Sequence, residues 1–181
     1  MSNVLIGIIG VILFIGLALA GALFLGPRFQ EATITSKTSA VVQALSQVSH
    51  AAAMYQVQEG KDLRATDHAT NVQTLADRHY LKSLVTNPMN REPMITVDVL
   101  GYGRDLPVDH VYTTLGTIDD PVARAVCKDV ERRQGNPDPE ASLTPITDPN
   151  EWGSRVAARR SMGCFLYATT APARYVSYMV L

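Results

Sequence analysis

Two cysteines, Cys127 and Cys164, are the residues whose chemistry this sequence indicates most directly. An even pair of cysteines in a small exported domain typically forms a disulfide. Closing a loop of nearly forty residues would stabilise that domain by about 3–4 kcal/mol in the chain-entropy model. The alternative is a pair of free, buried thiols in a cytoplasmic domain. A metal site is not expected, because the sequence has no CxxC motif and its 4 histidines are scattered.

The remaining reactive side chains form no catalytic pattern. Ser161 lacks the glycines of a nucleophile elbow, and residues 101–103 (GYG) lack the continuation of a phosphate-binding loop. Asp119 and Asp120 precede Pro121, a pattern that favours a helix cap over a catalytic pair. We therefore expect no enzyme and no cofactor.

Charge is distributed unevenly along the chain. The 181 residues carry a formal net charge of -1, which argues against a nucleic-acid-binding protein. All 16 basic and 17 acidic side chains lie after residue 26, and residues 4–26 are an unbroken apolar run. At a rise of about 1.5 Å per residue, this run is long enough to cross a hydrocarbon core of about 30 Å. The sequence thus predicts a transmembrane or filament-core helix at residues 1–27 and an extracytoplasmic head at residues 28–181.

A cleaved signal peptide is the alternative for the apolar run, because residues 18–20 (Ala-Leu-Ala) fit a small-x-small cleavage pattern. Against it, residues 1–3 contain no Lys or Arg, and the run continues to Leu25. The positive-inside rule alone would put the head in the cytoplasm, because Arg28 and Lys37 follow the run. The cysteine pair and the resemblance described below favour an extracytoplasmic head.

The N-terminal helix is predicted to continue into the head as an amphipathic half over residues 28–58. Its apolar residues are spaced four, three, four and three apart, and Gly60 gives a stop signal. A helix of about 55 residues would be near 80 Å long, so its N-terminal half must project. Pro27 predicts a kink, or an unwound segment over residues 21–27; otherwise it begins a second helix after a linker. The residues expected to pack on the sheet are Val41, Leu45, Val48, Ala52 and Tyr55, although a stripe for a partner helix is the alternative.

The rest of the head is predicted to combine helices and strands. Helical patterns cover residues 72–84, which end before Asn87-Pro88, and residues from Asp119 to about 135, which carry Cys127. Residues 135–151 contain four prolines and predict a mobile surface loop. Four strands are predicted at residues 94–100, 110–115, 162–169 and 174–181. The last strand is apolar on both faces, which indicates a central position in a sheet.

Three segments resemble the type IV pilin family, most of all its type IVb branch of toxin-coregulated, bundle-forming and conjugative thin-pilus pilins. Residues 41–60 (VVQALSQVSHAAAMYQVQEG) resemble the family's amphipathic helix, which runs into a tyrosine and a glycine. Residues 75–94 resemble its connecting segment, in which a short helix leads to an Asn-Pro pair. Cys127 and Cys164 match its disulfide-bounded region. The resemblance implies an α+β fold with a long N-terminal helix packed on a small antiparallel sheet.

The resemblance also implies a function, which is a structural subunit that polymerises into a type IV pilus through its N-terminal helix. The implied partners are copies of the same chain, the membrane before assembly, a prepilin peptidase and the pilus assembly machinery. The implied location is the inner membrane and then an extracellular filament on the cell surface. The alternatives are a minor pilin or pseudopilin, or a single-pass membrane protein with a periplasmic binding or sensing head.

Two features depart from the family pattern. Leu5 stands where the family usually has a glutamate that pairs with a neighbouring N-terminal amine. A charged leader ending in glycine is also missing, so either Met1 is the processed and methylated N-terminus or processing differs.

Small residues in the apolar run would let helices approach closely in a filament core. Gly16 and Ala20 are four residues apart, as are Ala22 and Gly26. The alternative is a lone anchor with ordinary glycines. The predicted core-packing residues are Gly7, Gly10, Gly16, Ala20, Ala22 and Gly26.

Two further contacts between subunits are predicted nearer the head. Phe29 and Ile34 are expected to face a neighbouring subunit. Residues 155–160, which contain three arginines, could contact a neighbour's Asp138 and Glu140. The alternative is that this basic run forms a solvated surface.

Overall fold

The protein was analysed as a computed structural model, which describes residues 2–60, 68–92, 94–97, 110–148, 151, 161–169 and 171–180. Within the first helix, side chains are described for residues 7–22 and 28–59. Several sequence predictions therefore fall outside the described residues: those for Met1, for the basic run 155–160 and for the side chains of Leu5, Gly26 and Pro27.

The first helix, α1, runs from Ser2 to Glu59 as one element of 58 residues, or about 87 Å. The predicted long helix is confirmed. The predictions of an unwound segment or of a second helix at Pro27 are wrong, because the helix continues through this residue. One proline removes a single backbone hydrogen bond, and the flanking turns keep theirs. A kink there stays a prediction. Gly60 ends the helix with a φ of 62°, a left-handed conformation that glycine adopts without strain.

Among the residues that the structure describes, no helix is both long and apolar enough to cross a membrane. The transmembrane or filament-core helix at residues 1–27 stays a prediction.

The second helix, α2, extends from His68 to Asp77 and is shorter than the predicted helix at 72–84. The chain turns away at His79, which has a left-handed φ of 63°. The amides of Tyr80 and Leu81 then donate to the carbonyl of Leu75 at 2.9 and 3.1 Å, which closes the helix end. Leu81 is buried all the same, because the turn returns it to the core.

In the part of the chain that the structure describes, four antiparallel strands form one sheet in the order β1-β2-β4-β3. The α+β fold is thereby confirmed, and so is the central position of the C-terminal strand. The shift in register between Thr114 and Gly116 is an irregularity in the pairing of β2 with β4. The strands are β1 (Ile95–Val97), β2 (His110–Thr117), β3 (Met162–Tyr167) and β4 (Arg174–Val180).

One face of the sheet is covered by α1 and by the third helix, α3, from Pro121 to Arg133. As predicted, Asp120 caps α3, because its side chain accepts hydrogen bonds from the amides of Val122 and Ala123. The helices and this face of the sheet form the main apolar core. Its members include Val41, Leu45, Val48, Val72, Leu75, Val111, Leu115, Val126, Val130, Leu166 and Tyr175.

The opposite face of the sheet carries a second apolar cluster of Ile146, Phe165, Val176 and Tyr178. Ile146 lies in the loop predicted at residues 135–151, the proline-rich loop, and forms a parallel bridge with Tyr167 of β3. This loop also contains a short 3-10 turn at Ala141–Leu143. Most described residues of the loop are exposed, as predicted for a surface loop, but Leu143 and Ile146 are buried against the core and the sheet. The mobility of the loop stays a prediction.

Candidate assembly surface

The N-terminal part of α1 exposes large apolar side chains. Nine of them, between Ile8 and Leu19, are 49–74% exposed. The main core takes its α1 residues from Ile34 onward, so the head does not bury this part of the helix. We refer to residues 7–22 as the apolar segment.

The exposed apolar side chains point in all directions around the helix axis. Successive helical residues are about 100° apart, so Ile12, Leu13, Phe14 and Ile15 alone cover every side. All four are more than half exposed. A helix that is apolar all round needs an apolar environment on every side, which a single flat contact does not provide.

The small residues predicted for filament packing are open to close approach. A Cβ atom added at Gly7, Gly10 or Gly16 would meet nothing within 4 Å. Ala20 and Ala22 are exposed. At about 100° per residue, the pair Gly7 and Gly10 is centred roughly 130° around the helix from the pair Gly16 and Ala20, so close contacts are sterically possible on two sides.

The helix enters the head near Ile34 and is fixed there by Arg133 of α3. The Arg133 guanidinium donates to the Thr35 carbonyl and the Ser39 hydroxyl, both at 3.1 Å, and to Asp129 at 3.2 Å. Ile34 packs against the core but is only partly buried, so its predicted contact with a neighbouring subunit stays a prediction. Phe29, at 67% exposure, is free for such a contact.

The predicted apolar stripe of α1 packs inside the head. Val41, Leu45, Val48 and Ala52 are buried in the main core. Tyr55 is partly buried and meets Tyr80 edge to face, with ring centroids 5.5 Å apart. The alternative of a partner-helix stripe on this side is therefore wrong, and a different side of α1 faces outward.

The predicted disulfide is confirmed. It joins Cys127 of α3 to Cys164 of β3, with Cα atoms 5.3 Å apart. The bond links the helix that holds α1 to the sheet that underlies it.

A buried carboxylate that was not predicted from the sequence lies beside this disulfide. Glu131 is fully buried and accepts hydrogen bonds from the Cys164 amide (2.6 Å), the Ser142 hydroxyl (2.9 Å) and the Asn136 amide group (2.7 Å). It lies one helical turn after Cys127, on the apolar side of α3. This position could have indicated a buried hydrogen-bonding site from the sequence, because an acid on a buried helix face must find hydrogen-bond donors.

An exposed ion cluster joins α3 to the proline-rich loop. Glu140 pairs with Lys128 and Arg124 of the same chain, and these hydrogen bonds, led by that of Lys128, lower its pKa. Asp138 accepts from the amides of Glu140 and Ala141 in the turn. Both acids predicted to meet a neighbour's basic run thus already have partners within the chain.

The described histidines are dispersed: His50 and His79 are exposed, whereas His110 is buried. Throughout the described ranges, no group of three or more His, Cys, Asp and Glu side chains could hold a metal ion. Comparisons of the chain with protein-family models, curated proteins and solved structures found no match. The following proposals therefore depend on the sequence and geometry of this chain.

Proposed function

We propose that this chain is a type IV pilin-like subunit, which polymerises into a filament by burying its apolar segment among copies of itself. The observation that carries the proposal is the exposed apolar segment, residues 7–22, attached to a head with its own core. The head buries its share of α1 and leaves this segment without an apolar partner in the single chain.

The free energy available from burying the segment is large. Burying one large aliphatic or aromatic side chain contributes about 1.5–3 kcal/mol. The nine side chains between Ile8 and Leu19 are 49–74% exposed, so each can gain only a little over half of this value. Assembly would then gain roughly 8–16 kcal/mol per subunit before ordering costs. This gain is enough to drive association even when much of it is offset by lost translational freedom.

A filament fits the distribution of these side chains better than a dimer does. A second helix covers one side of α1, whereas the apolar side chains occupy all sides. A central bundle of parallel or staggered helices covers every side. Because the heads are bulkier than the helices, they would lie outside, and a head-to-tail arrangement of this kind repeats without closing.

An extracellular location agrees with the Cys127–Cys164 disulfide, because such bonds persist in oxidising compartments. Export and assembly of such a subunit would involve a peptidase and an assembly machinery, as the resemblance to type IV pilins implies.

The proposal is tested by adding a charge to the apolar segment. Full-length chain purified in detergent is transferred to detergent-free buffer, and fibres are collected by sedimentation and examined by electron microscopy. We expect regular fibres from the wild type and none from Phe14→Lys, because a buried, unpaired charge is costly.

The matched control is Ile118→Lys, which places the same charge at an exposed apolar residue of the head. This variant should assemble as the wild type does. Regular fibres from Phe14→Lys, or amorphous aggregate from the wild type, would contradict the proposal.

A further inference from the structure

In the part of the chain that the structure describes, β3 lies at one edge of the sheet. The backbone groups on the outer side of an edge strand need partners other than a neighbouring strand. Ile146 is one such partner, because its amide donates to the Leu166 carbonyl at 2.8 Å and its carbonyl accepts from the Ala168 amide at 2.9 Å. On the same side of the strand, the backbone amide of Cys164 donates to the Glu131 carboxylate at 2.6 Å. Glu131 thus takes the place of a neighbouring strand at Cys164.

Glu131 is fixed to α3 one helical turn after the other cysteine. It follows Cys127 by four residues, so the two side chains lie on the same side of the helix, and both are fully buried. The hydrogen bond from Cys164 to Glu131 and the disulfide from Cys164 to Cys127 therefore join the same helix to the same residue of β3.

We infer that Glu131 is a positioning residue for the formation of this disulfide: in the reduced chain its carboxylate binds the Cys164 amide and holds the two thiols near each other. Two links that restrain the same segment share the entropy cost of ordering it. The hydrogen bond orders Cys164 before the sulfurs react, so it makes the disulfide more favourable. This coupling concerns the head alone and does not depend on filament formation.

The reaction in question is thiol–disulfide exchange with oxidised glutathione. The thiolate of one cysteine attacks glutathione disulfide, which forms a mixed disulfide and releases one glutathione. The thiolate of the other cysteine then attacks the protein sulfur of the mixed disulfide and releases the second glutathione. The protein loses two electrons and two protons, and one glutathione disulfide becomes two glutathione thiols. Glu131 takes no proton in either step and acts only through the position of Cys164.

The equilibrium of this exchange measures the effective concentration of the two protein thiols. The full-length chain in detergent is equilibrated with mixtures of reduced and oxidised glutathione, and the free thiols are counted by alkylation and mass spectrometry. We expect Glu131→Gln to lower the effective concentration by about tenfold, because the amide has one acceptor oxygen for three donors. The reduced wild type should keep the circular dichroism of the folded head.

Glu140→Gln is the matched control. It removes the same charge from an exposed carboxylate that pairs with Lys128 and Arg124 of α3, and it should leave the effective concentration unchanged. Ser142→Ala is a milder variant, for use where Glu131→Gln does not fold. It removes one donor to the carboxylate, at 2.9 Å, and should lower the effective concentration by about threefold.

A general loss of stability does not reproduce this result. If Glu131 stabilised the folded head equally in both redox states, its replacement would leave the effective concentration unchanged, because the two losses cancel. An unchanged value in the folded variant would therefore overturn the inference. A reduced wild type without a folded head would overturn it as well, because Glu131 could not then hold Cys164 beside α3.

Hydrogen exchange tests the contact itself in the reduced protein. The Cys164 amide of the reduced wild type should exchange slowly, and its protection should fall by about tenfold in Glu131→Gln. Equal exchange of this amide in the two reduced proteins would show that Glu131 does not hold Cys164 before the disulfide forms.

Discussion

At the scale of single residues, Glu131 is the side chain on which the fold of the head depends most. Its carboxylate on α3 accepts from the Cys164 amide on β3 and from the Asn136 and Ser142 side chains on the proline-rich loop. All three partners donate, so the site requires an acceptor at both oxygens. The carboxylate thus joins three parts of the chain around the disulfide.

Glu131→Gln is expected to lower the free energy of unfolding by about 1–3 kcal/mol, because its amide nitrogen must face a donor whichever way the group is turned. Urea unfolding followed by circular dichroism measures the change. Glu140→Gln is the control, since the Glu140 side chain is 51% exposed and should change stability much less. Equal stability of Glu131→Gln and wild type would show that the buried network contributes little.

Gly163 is a position at which the fold leaves no room for a side chain. It pairs with Tyr178 across the β3–β4 ladder, and a Cβ atom there would lie 2.6 Å from the tyrosine oxygen and 2.8 Å from Cζ. Tyr178 is buried and has little room to move. We expect Gly163→Ala to cost about 1–3 kcal/mol of stability through this overlap.

A double-mutant cycle with Tyr178→Val tests whether overlap with the tyrosine ring causes this loss of stability. Once the ring is removed, Gly163→Ala should cost much less, which gives a coupling between the two sites. Additive effects would mean that the cost arises elsewhere in β3.

Some of these features could be predicted from neighbouring residues in the sequence, and others could not. Asp120 and the stripe from Val41 to Tyr55 were predictable, because a helix cap and a helical period depend on neighbours in the chain. The overlap of Gly163 with Tyr178 depends on strand register, which no local pattern gives. The donors to Glu131 likewise come from distant parts of the sequence.

At the scale of secondary-structure elements, α3 and the proline-rich loop are joined by an ion cluster that responds to pH. Hydrogen bonds from Lys128 and then Arg124 lower the pKa of Glu140 below its ordinary value of 4.5. A carboxyl group whose pKa is lower in the folded state stabilises the fold above its unfolded pKa. That contribution is lost as the pH falls through the lower, folded value.

The wild type should therefore have a higher melting temperature than Glu140→Gln at neutral pH. The difference should shrink as the pH falls below the ordinary pKa of 4.5 and should disappear only when the pH is below the lower, folded pKa. Thermal unfolding of both proteins over a series of pH values measures this. High salt should reduce the difference at neutral pH, because these side chains are partly exposed. A difference that stays constant with pH would contradict the assigned ion pairs.

Some secondary-structure elements were predicted correctly from the sequence, and others were not. The long helix, α3 and the central last strand follow from periodicity and caps. The end of α2 does not, because His79 adopts a left-handed conformation, which histidine takes more often than most residues but in only a small fraction of cases. The composition of the proline-rich loop predicts its exposed residues but not the burial of Leu143 and Ile146, because their contacts with the core and the sheet join distant parts of the chain.

At the scale of the whole molecule, α1 lies in two environments, the core of the head and the exterior. Residues from Ile34 onward complete the core of the head, and the apolar segment is left without cover in the single chain. Helix length alone predicted this projection, because about 80 Å of helix cannot fit within a head of this size. What surrounds the apolar segment could not be predicted with certainty from the sequence, because a membrane and a filament core both accept an apolar helix.

A cryo-electron microscopy map of fibres formed by the full-length wild-type chain is the most direct test of the proposed assembly. We predict a central bundle in which residues 7–22 of each copy are enclosed on all sides by α1 helices of other copies, at interaxial distances of about 8–10 Å. The disulfide-linked heads should form the outer layer. Fibres held together by their heads, with residues 7–22 outside the bundle, or a wild-type chain that stays monomeric, would contradict the proposal.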